Sequence, residues 1–224
     1  MQFGYCERLD GGFWAEPLNA VTNAAFIVAA LAALWLWRRS GRGLVPLGLI
    51  LLVLAIGIGS FLFHTMPNGW TLVADVLPIQ IFAFGYFAFA LWRFFGASWP
   101  VTATGTLAFF SFALALSWAG RAFLGPVAAG SAGYAAFLFG LFGIAASLPR
   151  HPELIAPRRL ISLAGLAFLV SLTLRSLDGA FCEAVPAGTH WLWHLLNALV
   201  LSMLLRAAVA GDGPAQASLT SRGR

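Results

Sequence analysis

Two residue pairs in this 224-residue sequence sit one helical turn apart: Ser60 with His64 in GIGSFLFH, and His190 with His194 in HWLWH. At i, i+4 both members of a pair share one helix face. Two histidines at that spacing can reach a single metal ion, and His64 can supply a third ligand. Three neutral imidazoles with an open fourth position are the ligand set of a catalytic zinc. Such an ion lowers the pKa of its water to about 7 and makes it a nucleophile for a carbonyl. Asp75, in VADVLP eleven residues after His64, is the carboxylate that can accept the water proton and pass it to a leaving nitrogen. Ser60 can donate to the developing oxyanion.

Each of these residues alone has a plainer explanation. A single histidine at a helix end is usually an interfacial, hydrogen-bonded side chain. A serine is often bonded back to its own helix. An aspartate at a helix start is favoured by the macrodipole. The fourth histidine, His151, falls in an arginine-rich loop and reads as solvated. What separates the other five residues from these readings is where the chain must carry them.

The sequence is 60% hydrophobic and 9% charged, with a mean hydropathy of +0.86. A soluble domain carries about 25% charged residues, so lipid must solvate much of this chain. Seven apolar runs can be read: Leu18–Trp37, Leu44–Phe63, Leu72–Phe95, Val101–Trp118, Gly125–Leu148, Leu160–Leu177 and His190–Val209. Backbone groups in hydrocarbon must be satisfied within their own segment, so each run is expected to be a helix. The fold class is all-α: a polytopic, seven-transmembrane-helix bundle in one domain over residues 1–210. Residues 211–224 form a polar tail rich in Gly, Ala and Ser, expected to be disordered.

All basic residues are arginines, and the net charge is +5. Arg38, Arg39, Arg42, Arg93, Arg150, Arg158, Arg159, Arg206, Arg222 and Arg224 fall on one side of a seven-span chain, against Arg8, Arg121 and Arg175 on the other. The positive-inside rule then places the N-terminus outside and the C-terminus in the cytoplasm. Arginines grouped between apolar runs exclude nucleic acid as a partner. The absence of lysine excludes a retinal Schiff base, which needs its amine. Glu7, Arg8 and Asp10 precede the first apolar run, so the N-terminal stretch is not read as a cleavable signal. With this topology the second run ends, and the third and seventh begin, at the outer surface. Ser60, His64, Asp75, His190 and His194 therefore share one depth, and ionisable groups at such depth default to function. Cys6 and Cys182 also fall outside, where a disulfide persists; two free thiols are the alternative.

At these residues the chain resembles the alkaline ceramidases and the superfamily that joins them to the progestin-and-adipoQ receptors. The resemblance is carried by Ser60-x3-His64, Asp75 within DVLPI, and His190-x3-His194. WAEPLNAVTN (Trp14–Asn23), YCE (Tyr5–Glu7) and FCE (Phe181–Glu183) make it specific to the ceramidases. It implies a hydrolase that cleaves the amide of ceramide, or a related N-acyl lipid, to a sphingoid base and a fatty acid. It implies zinc on His64, His190 and His194, Asp75 as general base, Ser60 beside the activated water, and an apolar cavity for the lipid. It also implies pairing of Cys6 with Cys182, which would tether the N-terminal segment over the site. The family has a calcium site near its N-terminus. Glu7 and Glu16 match two of its carboxylates, Tyr5 could offer a carbonyl, and Asp10 could substitute in a shifted register. Gly4 and Leu9 stand where the family has Asp and Asn, and calcium needs six to eight oxygens.

Two other function classes compete. A receptor of the adipoQ type would keep the zinc with little hydrolysis, but such receptors carry a long cytoplasmic N-terminal region and the opposite orientation. A transporter with a proton relay would spread charges through the membrane depth, whereas here they gather at one face. The Ala-, Gly- and Arg-rich composition points to a bacterial cytoplasmic membrane.

Overall fold

The computed structural model describes residues 5–40, 43–123 and 125–211. Gly4, Arg42, Arg222, Arg224 and the expected polar tail beyond Gly211 lie outside the described residues. Every regular element among the described residues is helical. The elements are α1 (Pro17–Thr22), α2 (Ala24–Ser40), α3 (Leu44–Thr65), α4 (Gly69–Arg93), α5 (Trp99–Phe123), α6 (Gly125–Ser147), α7 (Ile155–Phe181) and α8 (His190–Gly211). A 3-10 turn at Pro152–Leu154 leads into α7.

Among the described residues, six segments are long and apolar enough to cross a membrane: α1 with α2 (Pro17–Arg39), α3, α4, α5, α7 with its 3-10 turn, and α8. α6 (Gly125–Ser147) runs for 23 residues, and its described apolar part is Ser131–Ser147. Large apolar side chains face outward along these helices. Exposed tryptophans collect near both ends, with Trp14, Trp70 and Trp118 at one and Trp35, Trp92 and Trp99 at the other. Amphipathic indoles at both ends are the belts that bilayer interfaces select.

Local chemistry moves several helix boundaries. The first run divides at Asn23, whose N–H still bonds to Ala20 and Val21. The third starts at Gly69 rather than Leu72. Asn68 Oδ1 accepts the N–H groups of Trp70 (2.9 Å) and Thr71 (3.1 Å), and Thr71 Oγ1 accepts the N–H of Asn68 (3.0 Å). This reciprocal capping box fixes the start. Asp75 therefore sits in the second turn of α4, where the macrodipole has largely faded, and the plainer reading of that carboxylate loses its support. The sixth run extends to Ile155–Phe181, and the seventh ends at Gly211, the first residue of the expected tail.

The helices that carry the histidines are the innermost. Half of the most apolar window of α8 and 44% of that of α3 is buried inside the bundle, against 11% for α5. The α3–α4 contact is a backbone contact: a Cβ on Gly59 would run into the Ala74 carbonyl. The neighbours of those two residues in sequence are Ser60 and Asp75, so the glycine sets how closely these side chains approach.

Candidate metal centre and lipid cavity

His64 ends α3, and His190 and His194 occupy the first two turns of α8. Their relative exposures are 1%, 2% and 1%. Ring centroids lie 5.2 Å (His64–His190), 4.7 Å (His64–His194) and 4.7 Å (His190–His194) apart. A candidate ligand atom from each lies within 4.8 Å of the other two, and this is the one such group among the described residues. His64 Nε2 and His190 Nδ1 are buried without a hydrogen-bond partner there. Buried polar atoms are rarely left unsatisfied. Two orphaned imidazole nitrogens within a three-histidine cluster fit a divalent metal ion of the zinc type.

Other side chains orient the rings from behind. His64 Nδ1 bonds to the carboxylate of Glu16, which is also paired with Arg8. Arg8 donates further to the His64 carbonyl at 2.7 Å. Thr22 Oγ1 lies 3.0 Å from His194 Nδ1. A carboxylate or hydroxyl on the second ring nitrogen fixes the tautomer of a metal-binding histidine and raises its basicity. Burial acts to raise the Glu16 pKa, but the hydrogen bonds and charges of His64 and Arg8 outweigh it and hold the carboxyl below its ordinary value.

Glu16 is free for this contact because another residue caps its helix. Glu16 precedes Pro17 at the N-cap of α1 without capping it. Instead Glu7 accepts the N–H groups of Leu18 (2.6 Å) and Asn19 (2.9 Å). Asp10 closes its own turn on the Gly12 N–H at 2.7 Å. The Tyr5 carbonyl accepts the Arg8 N–H at 3.0 Å. The residues expected as calcium ligands are thus engaged separately, and their carboxylates form no metal-binding group among the described residues.

The N-terminal segment covers the histidines. Cys6 and Cys182 form a disulfide. The Tyr5 ring stacks on His190 with centroids 3.5 Å apart. Burial pushes the Tyr5 phenol above its ordinary pKa, with Arg175 opposing, so its hydroxyl stays protonated. Beneath lies a cavity of about 450 Å³ whose polar end carries Tyr5, Ser60, Asp75, Arg175, His190 and His194. Ser60 and Asp75 stand together at this end of the cavity. The remaining wall is mostly apolar, with Ile56, Phe82, Leu141, Phe168 and Leu204 along its depth. His151 is exposed ahead of the 3-10 turn, as expected of a solvated loop residue.

Ser60, Asp75, His190 and His194 line the cavity, and the His64 ring lies against those of His190 and His194. Several partners were not found from sequence. Asp178, 4% exposed, accepts the backbone N–H groups of Thr189 (2.6 Å), His190 (2.9 Å) and Cys6 (3.2 Å). Its one sequence signal is a carboxylate immediately after the sixth apolar run, Leu160–Leu177. Arg175 in the same run and Arg8 were read only as topology charges, and nothing local marked Thr22 as a partner of His194.

Comparison with known proteins gives one family. A family model described as Ceramidase matches residues 5–209. No curated protein matches the chain.

Proposed function

The chain belongs to the ceramidase family, and from that membership we propose that it is a zinc-dependent intramembrane hydrolase cleaving the amide of ceramide or a related N-acyl lipid. The observation that carries this reading is the coincidence of three buried, partly unsatisfied histidines with a carboxylate at the polar end of an apolar cavity. Family membership implies amide hydrolysis. The cavity offers depth for an acyl chain, with the reacting carbonyl at its polar end.

His64, His190 and His194 would hold the zinc. When bound there, zinc supplies Lewis acidity toward the amide carbonyl and acidifies water. Asp75 removes the proton from the attacking water and delivers it to the leaving nitrogen. The C–N bond breaks, the carbonyl carbon keeps the water oxygen, and the products are a fatty acid and an amine. Ser60 donates to Asp75 while that carboxylate is ionised. Once Asp75 is protonated the hydroxyl can turn to the developing oxyanion. Glu16 and Thr22 fix two of the imidazoles throughout. Calcium is not needed to organise the N-terminal segment in this reading, because Arg8, Glu7 and the disulfide already tie it down.

Seven crossings, an outer site and a cytoplasmic C-terminus belong to the same proposal. His64 and His190 meet, yet α4, α5, α6 and α7 separate them in sequence. A chain that returns to the same surface must cross an even number of times, which supports α6 as a seventh span. Residues 1–210 then form one domain, and the arginine distribution supports a site near the outer face of a bacterial cytoplasmic membrane.

The test is direct. Purified protein should hold about one zinc per chain and release fatty acid from at least one member of a panel of N-acyl lipids. His190→Ala should lose the zinc, and Asp75→Asn should keep it while losing hydrolysis. Zinc retained with no turnover of any lipid would favour the receptor class instead. Undiminished zinc in His190→Ala would sink the ligand assignment.

A further inference from the structure

Arg175 stands at the polar end of the cavity with no acid in salt-bridge reach, and Asp75 acts on its charge only from farther off. It lies in α7 and is partly exposed, and it lines the cavity with Asp75 and the histidines. Its Nη1 donates to the Tyr5 hydroxyl at 3.3 Å. Its guanidinium carbon lies 4.9 Å from the Trp193 ring centroid, 5.3 Å from Tyr134 and 5.9 Å from Tyr5. Among the described residues it forms no ion pair.

The nearby acids are engaged elsewhere. Asp178, one turn along α7, spends its carboxylate on three backbone N–H groups. Glu16 is held by Arg8 and His64, and Glu7 caps α1. That leaves Asp75 as the one carboxylate lining the cavity among the described residues. Three neutral imidazoles add no negative charge, so a divalent ion bound there would leave the polar end positively charged even with Asp75 ionised.

A cation at membrane depth is costly and is retained where it pairs or binds. Aromatic faces offset part of that cost. A neutral side chain could fill the same space among Tyr5, Tyr134 and Trp193 without any such cost. A guanidinium presents a planar fork of donors that matches a carboxylate or phosphate in bidentate fashion. The apolar depth of the cavity suits an acyl chain, so an anionic group at the polar end belongs to the other half of the lipid.

We propose that Arg175 binds an oxyanion, carboxylate or phosphate, carried on the amine half of the substrate, so that the cavity selects acidic N-acyl lipids over neutral ones. The inference rests on the hydrolase reading for the place of the amide, and it deepens that reading by naming a substrate class.

Three lipids of one acyl length test it: N-acylsphinganine, its 1-phosphate and N-acylglycine. Equilibrium binding is measured on metal-free full-length protein in micelles, and kcat/KM on the zinc-loaded protein. At least one acidic lipid should bind about tenfold tighter than the neutral one. Which of the two does so separates phosphate from carboxylate. Arg175→Gln should abolish that advantage, the acidic lipid losing about tenfold more than the neutral one, and Arg175→Lys should keep part of it. Equal binding of all three by the unaltered protein overturns the proposal without any variant. Equal losses on neutral and acidic lipids in Arg175→Gln overturn it too, since they would mark a structural role. Acid-selective binding without turnover would sink the hydrolase and leave the Arg175 site standing. Turnover without discrimination would do the reverse.

Discussion

The carboxylate of Asp178 accepts the backbone N–H of His190 at 2.9 Å, so the end of α7 caps the start of α8. The same carboxylate takes the N–H groups of Thr189 and Cys6. One buried acid thus joins the metal-binding helix, its neighbour and the covering segment. The loop between them is shaped to permit this. Gly188 has φ +62°, and a Cβ there would strike the Asp178 carboxylate and approach Cys6 Cβ at 2.8 Å. Asp178→Ala leaves these donors unmet, and the expected cost is about 1–3 kcal/mol. Zinc affinity should fall with it, because His190 would lose its anchor. Thermal unfolding and metal titration in micelles check both, and an unchanged variant would show the cap to be dispensable.

Glu16 acts on the metal site through His64. Glu16→Gln keeps the shape but removes the charge that faces both His64 and Arg8. Zinc affinity is expected to fall by about 10–100-fold, as for other carboxylate–histidine pairs behind a metal. Competition against a chelator of known affinity measures it. If Glu16 instead held calcium, added calcium would protect the unaltered protein against heat and leave Glu16→Gln unprotected.

Gly59 sets the approach of α3 to α4. Gly59→Ala puts a methyl group against the Ala74 backbone, which cannot swing aside as a flexible side chain would. Overpacking of this kind costs about 1–3 kcal/mol. It should also lower kcat by separating Ser60 from Asp75. Gly48→Ala is the control. Gly48 is exposed on the same helix with open space around its Cβ position, and that substitution should be neutral or stabilising by up to about 1 kcal/mol. Equal behaviour of the two variants would dismiss the close contact as a determinant.

The disulfide holds the cover in place. Cys6 and Cys182 lie 176 residues apart in sequence, and breaking a native bridge typically costs about 2–5 kcal/mol. Cys6→Ser with Cys182→Ser should lower thermal stability and loosen the stacking of Tyr5 on His190. Faster exchange of bound zinc with chelator is the expected reading. An exchange rate equal to that of the bridged protein would mean that the segment stays seated without its tether.

What could be read from the linear sequence was what short spacing and hydropathy encode. His190 and His194 share a face because a helix repeats every 3.6 residues, and that holds wherever the helix packs. The apolar runs and the alternation of arginines gave a sidedness that put Ser60, His64, Asp75 and both α8 histidines at one depth. The gathering of the three histidines could therefore be expected before any packing was known.

The partners of those residues belong to the tertiary structure. Glu16 was assigned to calcium, yet its carboxylate lies on a histidine 48 positions away. Asp178 and Arg175 share the end of one apolar helix, but one is consumed by backbone donors and the other faces a cavity. The shift of Asp75 into the second turn came from a capping box whose Asn68 stands four residues ahead of the apolar pattern. Periodicity and hydropathy are properties of a segment, whereas the partner of a buried charge depends on which backbones approach closely enough to bring two distant segments together. Only the packed bundle contains that information.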